Sequence, residues 1–215
     1  ANKYLKTAVY IEHIQHPIGD KLKKLFCRLL LVKTKLKQTI DYFTCYNITP
    51  HKGQKVYVNN YELVNNLKDD KHFEKNNDII YFIGAPFVEM NMISIKNYLK
   101  IFKSIISTNK DKRIIYVSHR WEKDSKLNQM KELNIEIVRF KNIFELEFIF
   151  EKKYPLHVYG FHTSALVTTK IIYKNANIIS VILNEKYLEN NIREEFISFS
   201  KNYINENNIN SIYID

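Results

Sequence analysis

From Asp78 onward, short unbroken apolar runs alternate with segments of helical periodicity, and no other feature of the chain constrains its fold as much. Ile79-Ile80-Tyr81-Phe82-Ile83, Ile114-Ile115-Tyr116-Val117 and Ile178-Ile179-Ser180-Val181-Ile182-Leu183 lack regular polar positions. Strands of that kind are buried on both faces and belong to parallel sheets covered by helices. Between them, Ile95, Leu99, Phe102 and Ile106 mark one face of a helix. The spacing also predicts helices over residues 127–133, 165–173 and 192–204, with strands over 135–140, 156–159 and 211–214. Asn142 is placed to cap a helix carrying Phe144, Glu145, Phe148 and Ile149. The pattern predicts an α/β protein with a doubly wound parallel sheet.

Residues 1–75 do not share this rhythm. Residues 8–11 read as a strand running into a loop with Glu12, His13 and His16, whose spacing fits no standard metal site. Residues 21–37 read as a basic amphipathic helix, which either packs on the rest of the protein or docks on anionic lipid headgroups. Residues 39–46 are β-branched and aromatic and read as a strand. Residues 59–77 read as a linker with one helical turn. The expected division is an N-terminal segment over 1–75 and a Rossmann-like domain over 76–215.

The formal charge of +10 points to an anionic partner. Lysine is scattered and accompanied by abundant Asn and Ile, so no clustered basic groove suggests nucleic acid. Cys27 and Cys45 have no metal spacing, and no apolar run is long enough to span a bilayer, which leads us to expect a reducing, cytoplasmic setting.

In open parallel sheets, ligands bind beyond the carboxyl ends of the strands. Three such ends carry chemistry here: Gly84-Ala85-Pro86-Phe87-Val88-Glu89, Ser118-His119-Arg120, and Gly160-Phe161-His162-Thr163-Ser164. Thr163 and Ser164 precede an apolar helix, where their hydroxyls act either as a cap or as part of a phosphate site. His119 is either a solvated loop residue or an acid–base group. The absence of GxGxxG and of a P-loop lysine motif argues against a dinucleotide or a nucleoside triphosphate.

The order Gly-x-Pro-x-x-Glu, strand into His-Arg, Phe-Glu near a helix start, then Phe-x-Thr-Ser-Ala-Leu after a strand resembles glycosyltransferase family 52, the bacterial lipooligosaccharide and capsule sialyltransferases. The resemblance covers residues 79–188 and extends faintly to Ile11-Glu12 and residues 40–46. It implies a GT-B-type fold, represented mainly by the Rossmann-like C-terminal donor-binding domain with a short or truncated N-terminal part. The implied reaction is inverting, metal-independent transfer of sialic acid from CMP-sialic acid to a sugar hydroxyl, with no cofactor. On this resemblance His119 and Glu89 are catalytic, His119 assisting departure of CMP and Glu89 acting as base. Gly84, Pro86, Arg120, Glu145, Phe161, His162, Thr163 and Ser164 would bind the donor. Two positions depart from the pattern: Arg120 follows His119 without an intervening Pro, and Phe87 stands where the family's Asp can be. Glu89 is also placed to favour a helix N-terminus instead of a proton transfer. The expected partners are CMP-sialic acid, a glycan acceptor and an anionic membrane surface in peripheral contact, with a homodimer as the oligomer. The alternative is a non-catalytic nucleotide- or glycan-binding domain.

Overall fold

The unbroken apolar runs form the inner strands of one sheet. The computed structural model describes residues 41–46, 48–68, 72–189 and 193–214. The expected strand at 8–11, Glu12, His13, His16, the basic segment 21–37 and Ile40 lie outside them. Two compact units divide at Asn59/Asn60. In the first, β1 (Tyr42–Thr44) pairs in parallel with β2 (Val56–Val58).

The second unit begins with α1 (Glu62–Leu67) and β3 (Glu74–Lys75), within the segment expected to be a linker with one helical turn. Then follow β4 (Ile79–Ile83), α2 (Ile95–Thr108), β5 (Arg113–Val117), α3 (Asp124–Lys131) and β6 (Glu136–Val138). The chain continues through α4 (Phe144–Phe150), β7 (Lys153–Tyr154), β8 (His157–Gly160), α5 (Ser164–Ile172), β9 (Asn177–Leu183), α6 (Arg193–Asn207) and β10 (Asn210–Ile214). Strands β3 and β7 form a small parallel pair. The main sheet has six strands in the order β10-β9-β8-β4-β5-β6, all parallel. The chain starts at the centre, winds outward through β5 to β6, returns to lay β8 beside β4, and winds outward the other way. This is the doubly wound α/β arrangement, with its reversal between β4 and β8. No helix among the described residues is long and apolar enough to cross a membrane.

Alternation along β4 explains why both faces are covered. Ile80 and Phe82 join Ile114 and Tyr116 in a cluster with Tyr98, Ile101, Phe102 and Ile105 of α2. Tyr81 meets Phe148 of α4 edge-on, with 4.7 Å between ring centroids. The buried stripe of α2 is therefore rotated from the one expected: Phe102 belongs to both, but Leu99 and Ile106 lie at its margin. The expected cap at Asn142 is also corrected. Ile143 occupies the cap position of α4 without a side-chain bond, because Asn142 directs its amide at the Glu147 carboxylate, 2.8 Å away.

The sheet's carboxyl edge is level where it matters. Ile83 stands opposite Val117 on one side and Gly160 on the other, so β4, β5 and β8 end together. Gly84 then donates its N–H to Val117 O (2.8 Å). A Cβ on Gly84 would sit 2.6 Å from Cζ of Tyr116 and would overlap the Glu122 carboxylate. Gly84→Ala is expected to cost about 1–3 kcal/mol from overpacking, read as a lower urea midpoint with an unchanged m-value.

Candidate functional site

Each of the three level strand ends leads into a loop whose geometry is set by hydrogen bonds. After β4, Met90 N–H donates to Pro86 O (2.9 Å) and Met92 N–H to Phe87 O (2.8 Å), turning the chain back toward α2. Gly84, Ala85, Pro86 and Phe87 are buried. Glu89 lies on this turn and reaches α3, where its Oε1 accepts from Lys123 N–H at 3.0 Å. Lys123 is the cap residue of α3 and makes no side-chain cap bond; Glu89 instead anchors the cap residue's own N–H from a different loop. Its Oε2 is enclosed and has no hydrogen-bond partner among the described residues; Lys126 Nζ lies 3.9 Å away.

After β5, His119 and Glu122 close a turn upon each other. His119 N–H donates to Glu122 Oε2 (2.6 Å), and Glu122 N–H donates to His119 O (3.0 Å). Trp121 N–H donates to His119 Nδ1 at 3.2 Å, and the Trp121 ring meets the imidazole edge-on at 5.6 Å. With Nδ1 accepting, the neutral imidazole carries its proton on Nε2. Burial lowers the His119 pKa from 6.5; Arg120 and Lys126 act in the same direction, and Glu122 and Glu89 oppose them. His119 is thus a neutral Nε2–H donor at pH 7. Arg120 is exposed, its guanidinium 5.5 Å from the Trp121 ring centroid, and Trp121 itself is 61% exposed.

Beneath these loops lies a polar cluster that sequence reading did not single out. Tyr116 and Lys126 both donate to Glu122 Oε1. Lys126 Nζ also donates to Ala85 O at 2.9 Å and sits over the Tyr98 ring, 3.6 Å from its centroid. Tyr98 and Tyr116 share a hydrogen bond of 2.7 Å. The side chains of Glu122 and Lys126 are 0% and 2% exposed. Burial draws the Lys126 pKa down while Glu122 and Glu89 push it back up, and burial raises both tyrosines well above their ordinary range. The signal for this cluster was the four-residue spacing of Glu122, in the loop before α3, to Lys126 and Met130 on the helical face that also buries Leu127.

After β8, the predicted residues separate. Phe161 is fully buried, its ring packed on Phe82 (5.2 Å) and Phe87 (5.1 Å), so it belongs to the core and not to the rim. His162 is surrounded by Phe196, Phe199 and Tyr203 of α6, at ring distances of 5.4, 6.0 and 5.3 Å. Its Nδ1 is 3.4 Å from Ser200 Oγ, and its Nε2 is enclosed without a partner among the described residues. Burial lowers its pKa to about 4. Thr163 is the N-cap of α5: its Oγ1 accepts from Ala165 N–H (3.3 Å), and its carbonyl accepts from the Tyr203 hydroxyl (2.6 Å). Ser164 is exposed at the first helical position. Glu145 of α4 is buried against α5, where Thr168 donates to its Oε1 and Tyr173, at the C-terminal end of that helix, to its backbone carbonyl.

The structure therefore brings Gly84, Pro86, Glu89, His119 and Arg120 into neighbouring loops, with Thr163 and Ser164 at the adjacent strand end. A cavity of about 490 Å³ lies beside this edge, lined by Val88, Asn91, Ile93, Ser94, Ile95 and Glu189. It shares the turn after β4 but includes neither His119 nor Thr163. No protein-family model matches the chain, and no curated protein matches it either.

His162 makes stability depend on pH with a definite sign. The unfolded imidazole takes up a proton near pH 6.5 and the folded one only near 4. Stability is therefore complete above pH 6.5 and falls as pH drops toward 4, by up to about 3 kcal/mol in that window. Urea midpoints at pH 7.5, 6 and 5 are expected to converge in His162→Phe relative to the unsubstituted protein. Equal slopes in the two proteins would assign the acid sensitivity to other groups.

Proposed function

We propose that the parallel-sheet unit is the donor-binding half of a GT-B-type glycosyltransferase that transfers sialic acid from CMP-sialic acid to a terminal sugar of a bacterial lipooligosaccharide or capsule. The observation that carries this reading is the common level of β4, β5 and β8, which puts the Gly84–Glu89 turn, the His119–Arg120 pair and the Thr163–Ser164 helix start side by side at the chain reversal. Nucleotides bind sheets of this topology at that point.

The donor phosphate belongs at the start of α5, where the helix dipole, the first-turn N–H groups and the Ser164 hydroxyl favour an anion. His119 then donates from Nε2 to a phosphate oxygen as the bond to sialic acid breaks and negative charge develops there. A neutral donor strengthens its hydrogen bond as that charge grows and need not first acquire a proton. Arg120 contributes positive charge at the rim, and Glu145 of α4, bonded by Thr168 one turn into α5, is the carboxylate assigned to the ribose. Glu89 is the base in this scheme, removing the acceptor hydroxyl proton during attack on the anomeric carbon. The placement that accompanies the reading is cytoplasmic, at the inner face of the bacterial inner membrane, with residues 21–37 as the lipid contact.

One observation favours the second reading, a nucleotide- or glycan-binding module without turnover. Glu89 Oε1 is engaged by Lys123 N–H and Oε2 is enclosed, so neither oxygen faces an acceptor in this conformation. Calorimetric titration with CMP and an assay of CMP-sialic acid hydrolysis separate the two readings. Thr163→Ala/Ser164→Ala is expected to weaken CMP binding by at least about tenfold, since the hydrogen bond from the Ser164 hydroxyl to a charged group contributes roughly 1.5–3 kcal/mol. His119→Ala is expected to slow hydrolysis by about 10² or more with little change in the KM for CMP-sialic acid. CMP binding with neither hydrolysis nor transfer selects the binding module, and no CMP binding at millimolar concentration removes the transferase and leaves glycan binding alone.

A further inference from the structure

The cluster beneath the rim suggests a role for two residues that the proposed chemistry leaves unused. We propose that Glu122 and Lys126 are positioning residues: together they clamp the loop carrying His119 to the loop carrying Glu89 and fix which imidazole nitrogen is presented outward. The inference deepens the donor-site reading, but its geometry stands independently of the nucleotide.

Four bonds make the clamp. Glu122 Oε2 accepts from His119 N–H at 2.6 Å, and Glu122 N–H returns a bond to His119 O at 3.0 Å. Lys126 joins Glu122 Oε1 and, with the same ammonium, donates to Ala85 O at 2.9 Å in the loop after β4. That loop has left the sheet ladder one residue earlier, at Gly84, so Lys126 is what ties Ala85 to the β5 side. Glu89 closes the assembly from above by accepting from Lys123 N–H at 3.0 Å, with its Oε2 turned toward Lys126 at 3.9 Å. The turn that Glu122 holds is also the one that places Trp121 N–H on His119 Nδ1, at 3.2 Å. Release of Glu122 would free the ring to change tautomer and rotamer.

The charge pattern suits a clamp better than a stabilising contact. Both side chains are essentially excluded from solvent, and replacing such a pair by apolar residues is often neutral for folding. Directional bonds, in contrast, specify loop orientation in a way that apolar contact does not. The groups facing His119 are Glu122 and Arg120 from its own loop, Lys126 from α3 and Glu89 from the turn after β4. Any change in its titration is interpreted against all four.

The test removes both charges together, which keeps a lone buried ion from unfolding the protein. Glu122→Leu/Lys126→Met eliminates the acceptor for His119 N–H and the donor to Ala85. Glu122→Gln/Lys126→Met keeps an oxygen that can accept from His119 N–H. Two-dimensional ¹⁵N NMR of the imidazole, with melting temperature as the check on folding, is the readout. In the unsubstituted protein we expect a single Nε2–H tautomer titrating below 6.5. In the folded Leu/Met variant we expect mixed tautomers and a midpoint moved further below 6.5, because the larger raising effect of Glu122 is lost along with the smaller lowering effect of Lys126, and in the Gln/Met variant the tautomer is expected to return. CMP-sialic acid hydrolysis should fall by about tenfold to a hundredfold in the Leu/Met variant, as displacement of a positioned group predicts. A folded Leu/Met variant with the unsubstituted tautomer and midpoint overturns the clamp. The NMR result does not depend on the donor: protein that ignores CMP yet shows the tautomer change keeps the clamp and loses the nucleotide reading. CMP binding with an unchanged imidazole in both variants does the reverse.

Discussion

The arrangement of the carboxyl edge depends on one buried ion pair. Glu122 and Lys126 sit where apolar side chains would serve folding at least as well, because the desolvation of two charges offsets most of their attraction. Apolar contact is non-directional, however, and the loops leaving β4 and β5 have no ladder to orient them beyond Gly84 and Ser118. The pair supplies direction, reaching one loop through Ala85 O and the other through His119 N–H. Tyr98 and Tyr116 extend the network into the core, so the ammonium and carboxylate are surrounded by groups that bond them. The absence of a side chain at Gly84 is a geometric condition of the network, since the Tyr116 hydroxyl and Glu122 carboxylate occupy that space.

The strands of the sheet were legible because burial on both faces writes itself into sequence as an unbroken apolar run. Ile79–Ile83 was read with its observed ends, and the strands at β5, β9 and β10 within one residue of theirs. Helix faces were less legible. In α2 the stripe was read from residues without a polar group, whereas Tyr98 is fully buried because Tyr116 and Lys126 bond or cover its hydroxyl and ring. Polarity at that position concealed a core residue.

The site was legible as a set of strand ends and not as a mechanism. Sequence order alone singled out the ends of β4, β5 and β8 as the candidate site, but it did not indicate which of their side chains face outward. Phe161, three residues before Ser164, turns into the core, whereas Ser164 reaches solvent. Glu122 and Lys126 escaped notice because a Glu and a Lys four residues apart ordinarily read as an exposed helical pair. Their burial follows from the tertiary position of α3 against the turn carrying Glu89, which no local pattern records.

The reversal between β4 and β8 also has an unusual floor. In many doubly wound sheets a crevice opens at that point, but here Phe161, Phe87, Phe196 and the neutral His162 pack there, with ring distances of 5.1, 5.6 and 5.4 Å along the series. An anion at the start of α5 would rest above this apolar floor instead of sinking between the strands. Low polarity beneath it strengthens its attraction to the helix N-terminus and to the Nε2–H of His119, because less solvent screens either one. Neutrality of His162 matters to the same balance. A charged imidazole under α5 would draw the anion inward, away from His119, whereas a neutral one leaves the rim donors to set its position.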